Sequence, residues 1–286
     1  MIFDFRLRPQ FKGFKNLSVF NPVCNSVGPM SLRGTYLASA HEKSMELFFQ
    51  EMEEARVEKG VVMARNIGDK AASVSNEDVK ELAEAYPDRI VPFGGIDLST
   101  GIFSAVKELE TCIRYGFRGV ALEPGWNDPA RLPDDAVFYP VYSMCEQAEL
   151  PVVLTVSLYQ GPTLEYSNPV HIQKIANDFP RLQIVVAHAC YPWIPQIFNV
   201  AALHHNVWLI PDLYMHNPWT PGREMYANGC RWLNCERIIF GSAYPCYGMK
   251  DAVDDLNSYD FTDEEKSKIL SKNACRLLHL AIDEKA

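Results

Sequence analysis

The first apolar segment of the chain carries three charged residues at alternate positions: Asp4, Arg6 and Arg8, in Asp-Phe-Arg-Leu-Arg. Alternate side chains of a β-strand point to one face, so Arg6 and Arg8 are expected on one side, opposite Phe5 and Leu7. A planar guanidinium group binds a carboxylate through two parallel hydrogen bonds. The spacing therefore indicates a site for a small carboxylated molecule, in which Asp4 shares the face of the arginines and orients them.

The same arginines also allow a structural interpretation. Two buried guanidinium groups are costly unless an anion pairs with them, and Asp4, Glu123 or Asp212 could supply that anion in an internal ion-pair network. Glu123 lies in Leu-Glu-Pro-Gly-Trp, so it either bridges to the arginines or acts on a substrate. The sequence leaves both interpretations open.

His188, in Val-Ala-His-Ala-Cys-Tyr, is the leading candidate for acid–base chemistry, because histidine titrates near neutral pH. Asp212, in Ile-Pro-Asp-Leu-Tyr, is a candidate general base or a group that orients His188. Tyr244 is a candidate hydrogen-bond donor to an oxyanion. Their structural alternatives are a satisfied core histidine, a loop-capping aspartate and a buried tyrosine with a structural hydrogen bond. Thr155 and Trp126 are candidates for lining the substrate pocket.

The elements that must position these side chains are short apolar runs that alternate with amphipathic stretches. Runs such as Pro-Val-Val-Leu-Thr-Val lack polar alternation, which is typical of parallel strands covered on both faces. Eight such strands separated by helices predict an α/β fold, a single (β/α)8 TIM barrel, in which strand ends carry the chemistry. An open doubly wound sheet is the alternative, but no Gly-x-Gly-x-x-Gly run follows a strand. The predicted strands cover residues 2–7, 59–64, 90–96, 119–122, 152–156, 184–187, 207–211 and 238–241.

Two helix starts and one long loop are also predicted. Asn76 is expected to cap a helix over residues 76–85, and Thr262 with Glu265 forms a capping-box pattern before the last helical stretch. Residues 8–40 are rich in Pro, Gly, Asn and Ser, and are long for a first strand-to-helix loop. Loops of this length at the carboxyl end of a barrel are commonly lids or dimer arms. No domain boundary is visible, so residues 1–286 are expected to form one domain.

Composition restricts the partners. The chain has 36 acidic and 27 basic residues, a net charge of -9, which argues against a nucleic-acid or anionic-membrane surface. The apolar runs have the length of strands, so no membrane span is expected. Eight cysteines are spread along the chain without a Cys-x-x-Cys pair, as in a reduced cytoplasmic protein. A cytoplasmic homo-oligomer that binds a small anionic molecule is the expectation.

Four segments resemble one enzyme family. They are Arg-Ile-Ile-Phe-Gly-Ser-Ala-Tyr-Pro (237–245), residues 264–278 with Ile-Leu-Ser-Lys-Asn-Ala, Leu-Gln-Ile-Val-Val-Ala-His-Ala (182–189), and residues 138–157, which lead into strand five. Together they resemble the amidohydrolase-related branch of the amidohydrolase superfamily, which includes an aminocarboxymuconate-semialdehyde decarboxylase and a pyrone-dicarboxylate lactonase. The resemblance runs from the first strand to the last helix, and it implies a barrel enzyme with a divalent metal at its mouth.

The chain departs from that family at the metal ligands. The first strand usually ends in Asp-x-His-x-His, and here it reads Asp-x-Arg-x-Arg; the histidine of strand five is Thr155, and the aspartate after Phe-Gly-Ser is Ala243. Of the usual ligands only His188 remains, and arginine cannot ligate because it stays protonated. Glu123, His188 and Asp212 form a weaker alternative metal set. The expectation is an enzyme without metal or other cofactor, in which arginine supplies the positive charge.

The expected function follows from these substitutions. Hydrolysis of a lactone or amide with a carboxylate group is the first candidate, with His188 or Asp212 activating water. A decarboxylase or another lyase is the second, with His188 moving the proton. A barrel that binds a small molecule without catalysis is the alternative from a different class.

Overall fold

The computed structural model describes residues 1–20, 36–67 and 73–281 of the chain. In this part of the chain, seven parallel strands form one curled sheet in the order of the sequence, from β1 to β7. The strands are β1 (Ile2–Leu7), β2 (Val57–Met63), β3 (Ile90–Gly95), β4 (Val120–Leu122), β5 (Val152–Thr155), β6 (Ile184–Ala187) and β7 (Val207–Ile210). The α/β class and the strand positions are thus confirmed up to β7.

Helices follow the strands and cover the outer face of the sheet. Short 3-10 turns at Lys12–Asn16, Ser18–Phe20, Pro124–Trp126, Ala136–Phe138, Leu164–Ser167 and His188–Cys190 occupy the connections. The helices are α1 (Ala38–Glu42), α2 (Met45–Glu54), α3 (Asn76–Ala85), α4 (Ile102–Arg114), α5 (Tyr139–Gln147), α6 (Pro169–Asp178), α7 (Ile194–Leu203), α8 (Asp212–His216), α9 (Glu224–Trp232), α10 (Met249–Ser258), α11 (Asp263–Ser267), a π-helical turn at Lys268–Lys272, and α12 (Asn273–Leu277).

Alternate strand residues enter two separate hydrophobic clusters, as the pleat of a strand requires. Val62, Leu154 and Val186 pack with the helices in the larger, outer cluster. The inner cluster lies on the concave face of the sheet and also contains residues of α12, which packs against it. Its buried members are Phe3, Phe5, Val61, Val91, Phe93, Ala121, Val153, Val185, Ala187, Trp208, Ile210, Ile239, Ala274, Cys275, Leu277 and Leu278.

Strand β1 breaks the simple alternation that the sequence predicts. Leu7 packs in the outer cluster, but Phe5 packs in the inner one, 5.5 Å from the ring of Phe93. The pairing with β2 explains this, because Asp4 lies opposite Gly60 and Leu7 opposite Val62, so three steps along β1 match two along β2. The extra residue in β1 lets both Phe5 and Arg6 turn inward, and the prediction that Phe5 lies opposite Arg6 is wrong.

The predicted eighth strand, residues 238–241, is not a strand in the structure. Ile238 forms an isolated parallel bridge with Leu209, and Ile239 N–H donates to the Leu209 carbonyl at 2.9 Å. On the other side, the Phe240 carbonyl accepts from Phe5 N–H at 2.9 Å. The bridge to β7 has a second hydrogen bond, from Leu209 N–H to the Arg237 carbonyl at 2.9 Å, whereas β1 is joined by one backbone hydrogen bond. The count of eight strands is not confirmed.

A full strand at residues 238–241 would pair its backbone N–H and C=O groups with β7 and β1, but several of these groups are hydrogen-bonded to other partners. Phe240 N–H donates to the Ile269 carbonyl at 3.0 Å, and Ser242 N–H donates to Asp4 Oδ1 at 3.1 Å. The buried amide of Asn273 donates to the carbonyls of Cys235 and Ile238 at 2.6 and 2.7 Å. The C-terminal helical region thus takes over hydrogen bonds of the last inner segment.

The two predicted caps have different outcomes. Thr262 and Glu265 form the capping box in full. The cap of α3 is Ser75, whose hydroxyl accepts from Asp78 N–H at 3.0 Å, so the assignment to Asn76 is wrong. The amide of Asn76 is instead buried against the backbone of Gly95, with bonds of 2.8 and 3.0 Å.

The predicted lid or dimer arm, residues 8–40, falls partly on residues 21–35, which lie outside the described residues. In its described parts, Phe14, Leu17 and Phe20 pack in the outer cluster. No helix of the described chain is both long and apolar enough to cross a membrane.

We predict that Asn273→Ala lowers the free energy of unfolding by about 2 kcal/mol, because it leaves two buried carbonyls without their donor. Urea denaturation of the purified protein measures this. The matched control is Lys272→Ala, which removes an exposed ion pair with Glu264 and should cost less than about 0.5 kcal/mol. Equal losses in the two variants would contradict the role assigned to Asn273.

Candidate functional site

Arg6 lies at the centre of a buried polar cluster at the carboxyl ends of the strands. Its Nη1 donates to Thr155 Oγ1 on β5 at 3.3 Å, and its Nη2 lies 3.3 Å from Nε2 of His188, just after β6. Its Nε lies 3.7 Å from Oδ2 of Asp212, just after β7. Arg6 is 4% exposed. One side chain of β1 thus reaches across the sheet to three other strand ends.

The hydrogen bonds of His188 determine which of its ring nitrogens carries the proton. A guanidinium group only donates, so Nε2 of His188 must accept from Arg6. The proton is then on Nδ1, which donates to Oδ1 of Asp212 at 2.7 Å. His188 is therefore a neutral imidazole. Its basic Nε2 faces the site, and its Nδ1–H is held by the carboxylate of Asp212, which is the arrangement of a general base oriented by a carboxylate.

Burial and neighbouring charges support these protonation states. Burial is the largest effect on His188 and lowers its pKa, Arg6 and Arg8 lower it further, and Asp212 opposes them. Burial alone would raise the pKa of Asp212, but His188 and the two arginines outweigh it, so the net pKa is lowered. Burial also lowers the pKa of Arg6 to about 10, which leaves it charged at neutral pH.

The backbone turns sharply where the strand ends deliver these groups. His188 has a φ of 67°, Asp212 of 37° and Ala243 of 61°, all in the left-handed region that side chains with a Cβ avoid. Each such residue costs roughly 1–3 kcal/mol and is typical of functional sites. Gly241 lies beside the cluster, where an added Cβ would come within 3.0 Å of Arg6 Cγ and 2.7 Å of Ile210 Cγ2. The close approach of this segment to Arg6 thus requires a glycine.

A second ion pair lies next to the cluster. Nε of Arg65, at the end of β2, lies 2.6 Å from Oε2 of Glu123, at the end of β4. The ring of Trp126 stacks on the Arg65 guanidinium at 5.4 Å, and Trp126 is 44% exposed. Burial by itself would raise the pKa of Glu123, but the charges of Arg65, Arg8 and Arg6 outweigh the effect of burial, so the net pKa of Glu123 is lowered. The predicted bridge from Glu123 to Arg6 or Arg8 is therefore not the ion pair that forms; the partner of Glu123 is Arg65.

A small cavity joins the ion pair to the cluster. It is lined by the side chains that the strand ends deliver, namely Arg6, Arg8, Arg65, Glu123 and Thr155 among others, with Phe14 and Leu17 from the long first loop. The predicted site residues Arg6, Arg8, Glu123 and Thr155 therefore meet in one place, beside His188 and Asp212.

Two further functional candidates, Arg65 and Tyr214, are delivered by strand ends, and the sequence had assigned them no role. Arg65 completes the positive charge of the cavity, and Tyr214 packs its ring edge-on against His188 at 5.4 Å, where it restricts the imidazole. Tyr214 in turn stacks on Tyr191 at 4.3 Å. Arg65 lies two residues after the end of β2, and Tyr214 lies four residues after the end of β7. This position near a strand end is the sequence signal for both candidates.

Asp4 and Tyr244 have other partners. Oδ1 of Asp4 accepts from the backbone N–H groups of Arg6 and Ser242 at 2.9 and 3.1 Å, so Asp4 orients the backbone of Arg6 and not its guanidinium. Burial raises the pKa of Asp4. The Tyr244 hydroxyl is hydrogen-bonded to Gln10 and Ser39, the two described flanks of the first loop. These contacts correspond to the structural alternative for Tyr244, and its oxyanion role stays a prediction.

The residues present do not fit the divalent metal that the family resemblance implies. Arg6 and Arg8 have no lone pair to donate, and the Nε2 lone pair of His188 faces Arg6. The weaker alternative set was Glu123, His188 and Asp212. Glu123 is paired with Arg65, whereas Asp212 is paired with His188, so the three side chains do not share one site. Within residues 1–20, 36–67 and 73–281, no group of three or more His, Cys, Asp or Glu side chains is arranged to hold a metal.

Comparison with solved structures places the fold among known barrels. The chain is similar to an uncharacterized TIM-barrel protein from Bordetella bronchiseptica, with 36% sequence identity, a TM-score of 0.91, and coverage of 97% of this chain and 98% of that chain. More distant similarity connects it to 2,6-dihydroxybenzoate decarboxylase from Rhizobium (16% identity, TM-score 0.67, coverage 87% and 94%). A third similar structure is 4-oxalomesaconate hydratase from Rhodopseudomonas palustris (19% identity, TM-score 0.65, coverage 98% and 96%).

The sequence also matches a protein-family model. The model is described as amidohydrolase, and it matches residues 28–280, which is most of the chain. The matched range includes the segments that carry His188, Asp212 and the last helices. The resemblance noted in the sequence is therefore confirmed, and the chain belongs to the amidohydrolase family.

Proposed function

We propose that this protein is an enzyme that acts on a small carboxylated molecule by acid–base chemistry at His188. The observation that carries the proposal is the hydrogen-bonding of His188, with Nδ1–H donated to Asp212 and Nε2 kept as an acceptor on the side of the arginines. A neutral imidazole with an ionised partner accepts a proton at neutral pH. The surrounding arginines favour an anionic substrate and stabilise negative charge that develops on it.

Hydrolysis of a lactone or amide is the first candidate reaction. Nε2 of His188 exchanges its contact with Arg6 for a water molecule and removes a proton from it. The water oxygen forms a bond to the carbonyl carbon, and the carbonyl electron pair moves to its oxygen, where an arginine stabilises the charge. When that pair returns, the bond to the alkoxide or amine breaks, and His188 gives its proton to the leaving group.

A lyase reaction is the second candidate. It is favoured by the similarity of the fold to a decarboxylase and a hydratase. In that case the arginines fix the substrate carboxylate, and His188 transfers a proton at a carbon atom of the substrate. The two reactions share the base and the arginines, and they differ in whether water or carbon exchanges the proton.

The proposed enzyme works without a tightly bound divalent metal, with arginine in place of the metal charge. We predict that metal analysis of the purified protein finds no stoichiometric zinc, manganese or iron, because a zinc site needs three or four donor side chains. Activity should be equal before and after dialysis against EDTA. One equivalent of metal that EDTA removes together with activity would overturn this part of the proposal.

The function itself is tested with two substrate panels. Carboxylated lactones and amides are assayed for acid or amine release, and hydroxybenzoates for release of carbon dioxide. His188→Asn should lower kcat/KM for any substrate found by about 100- to 10,000-fold, the usual contribution of a positioned base. His205→Asn, at an exposed histidine away from the cluster, is the matched control and should be fully active. Full activity in His188→Asn would refute the proposed chemistry, and no turnover in either panel would favour the non-catalytic alternative.

The pH dependence is a separate prediction. Because the pKa of His188 is lowered from 6.5, chiefly by burial, kcat/KM should be constant at neutral pH and fall only as the pH drops through a pKa below 6.5. Asp212 is the group that holds this pKa up. Asp212→Asn should therefore move the acidic limb to lower pH and lower kcat by about tenfold or more, since the tautomer is no longer fixed. A limb that moves to higher pH would contradict the assignment.

A further inference from the structure

The two arginines of β1 differ in what they contact. The two Nη groups of Arg6 contact Thr155 and His188 at 3.3 Å each, and its Nε, which has no hydrogen bond, lies 3.7 Å from Oδ2 of Asp212 in an ion pair. Its Nη groups face oxygen and nitrogen acceptors of the protein on two different strands. If Arg6 turned fully to a substrate, Asp212 would lose its nearest cation, and Thr155 would lose a hydrogen bond.

Arg8 lies on the same wall of the cavity without such partners. Its Nη1 is shielded from solvent and has no hydrogen-bond acceptor among the residues that the structure describes. The two carboxylates of this part of the site have other partners, because Oε2 of Glu123 lies 2.6 Å from Nε of Arg65 and Oδ1 of Asp212 lies 2.7 Å from Nδ1 of His188. A buried donor without an acceptor is destabilising, and an anion that binds there supplies the missing acceptor.

We propose that Arg8 is the residue that anchors the carboxylate of the substrate, whereas Arg6 is a positioning residue that acts through His188. This division of roles rests on the proposed function and specifies which arginine determines specificity. It narrows the sequence expectation, in which one or both arginines bind the substrate carboxylate. The cavity lined by Arg8, Arg65 and Thr155 receives the carboxylate, and the reacting end of the substrate lies toward His188.

The role of Arg6 follows from the tautomer of His188. By donating to Nε2, Arg6 keeps this nitrogen unprotonated, so the ring proton remains on Nδ1 and faces Asp212. Its positive charge also lowers the pKa of His188. Arg8 lowers this pKa as well, so the difference lies in the hydrogen bond: loss of Arg6 removes the donor at Nε2 and frees the tautomer of His188, while loss of Arg8 leaves that donor in place and removes a contact to the ligand.

Binding of unreactive acids separates the two roles. The probes are benzoate and isophthalate, with benzamide and isophthalamide as neutral analogues of the same shape, measured by titration calorimetry. Arg8→Gln should weaken binding of the acids by about 10- to 100-fold, the effect of one charge-assisted hydrogen bond, and leave the amides unchanged. Arg6→Gln should keep the affinity for the acids within about threefold. The matched control is Arg89→Gln. Arg89 is partly exposed, lies just before β3 and donates its Nε–H to the Glu58 carbonyl, so the variant should bind the acids like the wild type.

The role of Arg6 has its own measurement. Nitrogen-15 spectra of the His188 ring should show one protonated and one unprotonated nitrogen in the wild type at neutral pH. In Arg6→Gln the signals should shift toward those of both neutral tautomers or of the doubly protonated ring. The acidic limb of kcat/KM should also move to higher pH, because Arg6 lowers the pKa of His188. Arg8→Gln should retain the wild-type ring signals. A purely structural role for Arg6 would lower stability without these changes.

Three outcomes overturn the proposal. They are unchanged affinity of Arg8→Gln for the acids, equal losses in Arg6→Gln and Arg8→Gln, and a wild type that binds the amides as tightly as the acids. Where Arg8→Gln does not fold, Arg8→Lys is measured instead, because it keeps the charge but loses the planar fork. It should weaken binding of the acids by less than the factor expected for Arg8→Gln and leave binding of the amides unchanged. An unchanged Kd in Arg8→Lys then rejects the bidentate anchor. Because the acids are unreactive, these results are independent of whether His188→Asn abolishes turnover.

Discussion

The site depends on one interaction, the pairing of the buried guanidinium group of Arg6 with partners from other strands. Arg6 is buried, so its charge must be matched by Asp212 and its donors by Thr155 and His188. These partners come from β5, from the end of β6 and from the end of β7. Because all the strands are parallel, their carboxyl ends meet at one edge, and one side chain from β1 can contact all three.

The rest of the local structure serves that arrangement. The irregular pairing of β1 with β2 turns Arg6 inward together with Phe5, and the backbone N–H of Arg6 is held by Asp4. Gly241 lets the last inner segment approach Arg6 closely. Left-handed backbone at His188 and Asp212 directs the base and its partner to the cluster. Left-handed residues other than glycine also occur away from the site, for example at Arg56 and Glu149, so this strain is not confined to the place where the chemistry is proposed.

A site in which arginine supplies the charge of a metal ion, as we propose, works differently from a metal site. A metal ion polarises a substrate from one fixed point, whereas guanidinium groups combine positive charge with directed hydrogen bonds. Here Arg65 is neutralised by Glu123 and Arg6 by Asp212, so the charge of Arg8 is the one left for a ligand among the described cavity residues. Affinity and base strength can then be controlled by different residues of the same strand.

The sequence by itself determined the α/β class, the positions of seven strands and the grouping of Arg6, Arg8, Glu123, Thr155, His188 and Asp212, because apolar runs and strand ends are local patterns. It did not determine the facing of Phe5, the cap of α3 or the state of residues 238–241. These depend on pairing with β2, on the backbone of Gly95, and on bonds to Ile269 and Asn273, all distant in the chain. The tertiary structure alone decided which partner each charged group has, since Arg65 and Glu123 are 58 residues apart. Ion pairs follow distance in space, which spacing along the chain does not encode.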